Sequence, residues 1–375
     1  MILIQGKTMA NLSCGIVGLP NVGKSSLFNA LTRAEAESAN YPFCTIDPNV
    51  GIVEVNDSRL DRIQEIASSK KRLPAVVEFV DIAGLVKGAS KGEGRGNQFL
   101  DNIHNCSAII HVVRCFEDPN VTHVHGGVDP VDDIEVINME LLLADLDMVE
   151  KSLMRAKKKA RGNDRDSVAV VPVLEKILAH LESEKPVRTA DLDKEDWKKL
   201  GGYRFLTSKK VIYAANVGEE DLPEMENENV KKVREFAEKE GNQVVPFCAI
   251  IEEEIAQFDP EEAKEFLQDM GLEQSGLDRL IQESYKLLGL ITYFTMGPME
   301  ARAWTIDAGL KAPQAAAVIH TDFEKGFIRA EVTSFEDIDR LGSEKAAKEQ
   351  GLMRVEGKDY VVKDGDVVYF RVSTK

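Results

Sequence analysis

What the chain lacks narrows its class first. No apolar run approaches the ~18 residues that a membrane span requires; short pieces such as residues 108–113 are the longest, and no membrane role is expected. The five cysteines, at 14, 44, 106, 115 and 248, form no CxxC pair. That speaks against disulfides and structural zinc, and for free thiols in a reducing cytosol. Positive charge is in deficit: the formal net charge is −17 over 375 residues. The surface as a whole is therefore not built to coat nucleic acid, although a local basic patch remains open. The segment before residue 13 turns polar after Gln5 and is too short for a signal peptide; Met9 is a second candidate start. With 43% hydrophobic and 30% charged residues the composition is that of a globular protein, and the length allows two or three domains.

What is present begins with "GLPNVGKS" at 18–25. "CGIVG" before it reads as a buried strand, and "KSSLFNALT" after it spaces Leu27, Phe28, Ala30 and Leu31 as a helix face. Strand, glycine loop and helix form the context that a phosphate-binding loop demands. Gly18 and Gly23 allow backbone N–H groups to turn toward phosphates at a helix N-terminus, with Asn21, Val22 and Ser26 lining the same loop. Lys24 is the candidate cation for the β and γ phosphates, and the Ser25 hydroxyl a candidate ligand of Mg²⁺.

Two further pieces complete a nucleotide switch. "VVEFVDIAG" at 76–84 supplies a strand ending in Asp81, the candidate metal carboxylate, and Gly84, a candidate γ-phosphate sensor. "NYPFCTIDPNVG" places Thr45 as the second hydroxyl for Mg²⁺ in a segment that orders on nucleotide binding. After Gly84 comes Leu85, where many GTPases carry a glutamine that orients the attacking water. An apolar side chain cannot hold that water, so hydrolysis is slow or another group positions it. Glycines at 84, 88, 92, 94 and 96 mark a loop costly to order.

Base specificity is expected after another buried strand, "VIYAAN" at 211–216, where the chain reads Asn216-Val217-Gly218-Glu219. A guanine-specific Asn-Lys-x-Asp tetrad uses its Asp to accept from guanine N1–H and the 2-amino group, leaving that Asp unpaired before adenine. Here the Lys and the Asp are both gone, so the guanine filter is weakened. Residues 244–250, "VVPFCAI", read as the last strand.

Together "GLPNVGKS", "NYPFCTIDPN", "FVDIAGLVKGASKGEGRGNQFL", "HVVRCFED" and "NVGE" resemble the YchF, or Obg-like, ATPases, P-loop NTPases of the TRAFAC class. The resemblance runs from about Cys14 to about Tyr369. It implies a Ras-like α/β fold, ATP hydrolysed in preference to GTP, and a catalytic or γ-phosphate-sensing histidine that falls on His123. The residues alone leave His123 and His125 as equal candidates in a polar loop. Asn21 resembles the asparagine that holds K⁺ in potassium-stimulated relatives, making K⁺ a second candidate cation beside Mg²⁺.

Between these motifs, Ile134, Ile137, Leu141, Ala144 and Met148 step by three and four. "RAKKKARGNDRD" then turns the chain, and Val170, Leu174, Ile177 and Leu181 step likewise. The pattern predicts an antiparallel helical hairpin whose tip carries Arg155, Lys157, Lys158, Lys159, Arg161 and Arg165. Its functional reading is phosphate-backbone binding, against that of a solvated helix end. Beyond Leu290, "ITYFTM", "ARAWTI", "IRAEVTSF" and "DVVYFRV" alternate with turns and one helical stretch near 344–349, and the segment resembles the TGS domain, a β-grasp fold. His320 and "DFEKGF" are a candidate surface for ribosome contact.

The expected architecture is thus α/β: a Ras-like P-loop NTPase domain at 10–133 and 207–289, an inserted helical arm at 134–206, and an α+β TGS domain at 290–375. The expected protein is a cytosolic, monomeric, Mg²⁺-dependent ATPase that binds neither membranes nor specific DNA sequences; the resemblance implies that it associates with the ribosome and acts in translation or stress response. Two rivals remain open, a nucleotide sensor with negligible turnover and a GTPase.

Overall fold

A computed structural model describes residues 13–33, 49–82, 95–118 and 127–373. The expectations for Thr45, Gly84, Leu85 and His123 fall outside the described residues. In chain order the first half holds β1 (Ser13–Val17), α1 (Lys24–Arg33), β2 (Val50–Val55), α2 (Ser58–Ala67), β3 (Arg72–Leu73), β4 (Ala75–Asp81), α3 (Arg95–Asn105) and β5 (Ala108–Arg114). Next come α4 (Pro130–Ala160), α5 (Arg165–Glu182), α6 (Lys194–Lys199), β6 (Lys210–Asn216), α7 (Glu228–Glu240), β7 (Gln243–Phe247), α8 (Ala249–Ile255), α9 (Pro260–Asp269) and α10 (Gly276–Leu287). The remainder is β8 (Leu290–Met296), β9 (Ala301–Asp307), α11 (Ala312–Ile319), α12 (Thr321–Gly326), β10 (Phe327–Ser334), α13 (Phe335–Leu341), α14 (Glu344–Glu349), β11 (Arg354–Glu356) and β12 (Asp366–Val372).

The first sheet runs β2-β4-β1-β5-β6-β7. Only β2 is antiparallel to its neighbour; the other pairs are parallel. Parallel strands flanked by helices bury both faces, and β1 and β5 are buried along their whole lengths. The second sheet runs β11-β10-β12-β8-β9-β3 and mixes both senses. Its last strand, β3, comes from the first half of the chain, so the two sheets are stitched by one continuous segment, β2-α2-β3-β4.

Three differences from the sequence reading have local causes. The arm's own seam starts later than Ile134: Ile134, Ile137 and Leu141 pack in the main core, and the separate arm cluster begins with Leu142. Helix α4 itself starts at Pro130, capped by Asp129, whose carboxylate accepts from the N–H groups of Val131 and Asp132. The strand read over 244–250 stops at Phe247, because the N–H of Ala249 donates to the Asn216 side chain at 3.0 Å and the chain turns into α8. The C-terminal segment carries four helices, not one. "APQAAAVI" has proline in its first turn and is rich in alanine, the strongest helix former, and "DFEKG" lies within α12. The described cysteines, 14, 106, 115 and 248, are free and buried. Among the described residues no helix is long and apolar enough to cross a membrane.

Candidate nucleotide-binding site

The loop between β1 and α1 is shaped by close backbone approaches. Gly18 has φ +156°, and a Cβ there would stand 2.5 Å from the Val112 carbonyl on β5. Gly23 has φ +99°, and its Cβ would meet the Asn216 amide nitrogen at 2.3 Å. Both positions therefore exclude any side chain, as a loop presenting its N–H groups requires. Asn21 completes the turn in the left-handed region at φ 62°, a conformation that asparagine tolerates.

Lys24 opens α1, is 8% exposed, and donates from Nζ to the Leu19 carbonyl at 2.6 Å. Burial pulls its pKa down to about 8, opposed by the negative charge of Asp81. Asp81, half-buried at the end of β4, is pushed up by the same burial and held back by Lys24. Lys24 at the start of α1 and Asp81 at the end of β4 thus answer one another electrostatically. Ser25 is exposed and Ser26 half-buried in the first turn of α1.

Asn216 is 3% exposed, and its side chain is a tie rod. Its amide donates to the Val22 carbonyl at 3.1 Å and its carbonyl accepts from Ala249 N, joining loop, β6 and α8. The N–H of Val217 donates to Phe247 O at 2.9 Å. Glu219 is exposed at the start of a 3-10 turn, Glu219–Asp221. Asp221, the aspartate nearest the tetrad, is engaged by Asn227 at 2.7 Å and by the N–H of Gly218 at 3.3 Å.

Sequence reasoning missed two supports. Arg114, 2% exposed, donates to the carbonyls of Phe116 and Asp118 at 3.2 Å each and lies over the Phe116 ring, fixing the exit of β5 toward the loop of His123. His111, beneath the loop on β5, is fully buried, and burial, aided by the charges of Lys24 and Arg188, drives its pKa down to about 3. It is neutral at any working pH. Its ring stands 5.6 Å from Tyr213, whose hydroxyl donates to Glu240, which also accepts from Arg188. An arginine and a histidine inside a strand carry no local signal of these partners.

The frame is that of a known group. A family model described as "50S ribosome-binding GTPase" matches residues 13–160, and the YchF GTPase C-terminal model, described as a protein of unknown function, matches 290–373. The Ribosome-binding ATPase YchF of Bacillus subtilis is 55% identical over 361 residues, covering 96% of this chain and 99% of that protein. The chain belongs to the YchF family. The protein of the same name from Haemophilus influenzae is 57% identical over 358 residues, 96% of this chain and 98% of that one. The structure titled Schizosaccharomyces pombe YchF GTPase superposes with a TM-score of 0.86 at 38% identity, over 98% of this chain and 99% of the other. A Pyrococcus horikoshii GTP binding protein, 21% identical with a TM-score of 0.59, shares the fold.

Proposed function

We propose that this YchF-family chain binds ATP in the Gly18–Ser25 loop, hydrolyses it with Mg²⁺, and works on the ribosome in the cytosol. The observation that carries the reading is the base side of the site. At tetrad position four stands the exposed Glu219, and the neighbouring Asp221 is consumed by Asn227 and Gly218, so nothing among the described residues reproduces the aspartate that guanine selection needs. The curated relatives are named ribosome-binding ATPases, in line with this reading.

Lys24 supplies charge to the transferred phosphoryl group, and Asn216 holds the loop in register with Val217 and Glu219 beside the base. The donors proposed for the metal, the Ser25 and Thr45 hydroxyls and the Asp81 carboxylate, form a hard-oxygen set that suits Mg²⁺, an ion that keeps waters and shares ligands with nucleotide phosphates. When bound, the ion neutralises charge on the β and γ oxygens. Its fit is supported by Asp81, a half-buried carboxylate balanced by a single lysine. His123, Gly84 and Leu85 are proposed for the γ-phosphate side, and Asn21 for K⁺. The nucleotide fold is assigned to 10–133 and 207–289, the arm to 134–206 with its independent packing from Leu142 onward, and the C-terminal domain to 290–375.

A GTPase reading is kept because the S. pombe structure's title and the family model's description both use that word. ATP and GTP dissociation constants measured side by side on nucleotide-free protein with Mg²⁺ decide between them. Tighter ATP binding, weakened at least 100-fold in Lys24→Ala by loss of a charge-assisted contact of about 3 kcal/mol, is the expected result. Tighter GTP binding would overturn the ATP assignment, and exchange of K⁺ for Na⁺ in the turnover assay tests Asn21.

A further inference from the structure

The arm ends in a charge distribution that its own stability does not call for. Helix α4 is 31 residues long, and the part beyond Ala144, which still packs against the main core, carries the tip roughly 24 Å away at 1.5 Å per residue. Between residues 155 and 165 stand six basic side chains and one acidic one, in a chain of net charge −17. The acid, Asp164, is occupied as the cap of α5, accepting from Ser167 N at 3.0 Å. Lys157 is paired with Glu175 at 2.8 Å. Arg155, Lys158, Lys159, Arg161 and Arg165 carry no ion pair among the described residues.

Helix electrostatics explains only part of this. Lys157, Lys158 and Lys159 lie in the last turn of α4, where cations oppose the negative end of the macrodipole. Arg165 is the first residue of α5, the end where a cation is unfavourable. Arg155 lies a turn further back, on the side away from Leu153 and Ala156, which are buried in the seam. The cations therefore converge from both helices on a turn held open by Asn163 in the left-handed conformation.

We propose that this tip grips the phosphodiester backbone of RNA, and that it is the contact by which the chain holds the ribosome. The inference rests on the ribosome reading given above. A polyanion rewards the number of cations presented, independent of base sequence, and a stiff hairpin presents them together. The exposed large apolar residues at the tip are Met154 and Val168, at 73% and 53%, too narrow a face to enter a bilayer.

The test compares the full-length protein with a variant carrying R155Q, K158Q, K159Q and R161Q, substitutions that keep good helix formers. Binding to purified ribosomes, to naked 23S ribosomal RNA and to phosphatidylglycerol vesicles is measured across a salt series. Wild type is expected to bind ribosomes and RNA, and the variant to bind at least tenfold more weakly. The slope of log affinity against log salt should fall by roughly 0.7–0.9 per phosphate contact removed. ATP affinity, read in parallel, stays unchanged and certifies the nucleotide site, and an unchanged helical circular dichroism signal and melting profile certify the arm. Equal ribosome affinity and slope in both proteins overturns the proposal while leaving ribosome binding intact. Failure of wild type to bind either ribosomes or RNA overturns both, and charge-dependent binding to vesicles alone assigns the tip to a membrane instead.

Discussion

The arm and the C-terminal sheet are both joined to the nucleotide-binding fold, and the two junctions rest on different physics. The arm has its own apolar cluster from Leu142 onward, and its root adds directional polar bonds to the contacts that Ile134, Ile137, Leu141 and Leu206 make with the main core. Asp145, 1% exposed, accepts from the N–H groups of Leu206 and Thr207 at 2.8 Å each and from the Thr207 hydroxyl at 2.6 Å. Thr207 Oγ1 in turn accepts from Val187 N at 3.0 Å, and Arg188 pairs with Glu240 at 3.0 Å. The C-terminal sheet also has a core of its own, around Tyr293, Val332 and Phe370, but it joins the main core as well: Phe294, Ala301, Ala303, Ile338 and Val367 pack in one cluster with β1 and β5 residues, and β3 pairs with β9. Polar bonds beneath a separate core allow the arm beyond Leu142 to open or melt by itself. A shared apolar core commits the sheet to the fold of the nucleotide site.

The largest expected effect tests the shared core. Phe294→Ala removes a fully buried ring and should cost about 3–5 kcal/mol, with probes in the nucleotide site and in the C-terminal sheet losing signal at one urea midpoint. Two separated midpoints would make the sheet an independent unit and erase the contrast. Asp145→Ala leaves two backbone donors and a hydroxyl without their acceptor, at about 3 kcal/mol, and the damage should stay in the arm. Hydrogen exchange is expected to quicken over 187–208 and to be unchanged in β1 and β5. Matching acceleration in β5 would show that the arm is not a separate cooperative unit.

The junctions also differ in how their buried carboxylates are served. Asp145 is pushed up by burial but has three donors to answer it. Glu252, 1% exposed on α8, accepts from the N–H of Gly276 at the start of α10, the helix that leads into β8, while its second oxygen has no hydrogen-bond partner among the described residues. Burial raises its pKa to about 7. A carboxyl whose folded pKa lies above its unfolded value favours the fold below about 4.5, and that contribution is lost as pH rises through about 7. Thermal denaturation at pH 5 and pH 8 should show a larger stability difference in wild type than in Glu252→Gln. An unpaired buried oxygen costs about 1–3 kcal/mol, which sets the scale, and a variant with an unchanged pH dependence would remove Glu252 as the cause.

What was legible in the sequence divides along the same line. The loop, its flanking strand and helix, and the strand ending in Asp81 were readable because each is set by neighbours in sequence: glycine where no Cβ fits, branched residues in buried strands. The framework role of Asn216 was hidden because its partners, Val22 and Ala249, lie far away along the chain. Strand β3 was invisible, since two residues carry no period and its partner lies some 230 positions on. The arm's periodicity was legible, but not that its separate packing begins only at Leu142. Ile134 and Leu181 present the same spacing, and only the fold decides which core an apolar stripe faces.

The smallest effect sharpens the comparison most. Two arginines of α2 reach the C-terminal segment: Arg59 to Asp364 and Arg62 to Asp339, each at 2.6 Å. They look like the clamp between the two parts, and bridges of this kind invite that reading. Arg62 and Asp339 are both nearly half exposed, at 47% and 44%, where water and salt screen the attraction and ordering two long side chains opposes it. Arg62→Ala should therefore leave the urea midpoint almost unchanged, and any difference should vanish in 1 M salt, where screening acts within ~3 Å. A large drop in the midpoint that fades with salt would show that charge, not the shared core, holds the sheet. The C-terminal junction would then be polar like the arm's, and the sheet as separable as the arm is expected to be.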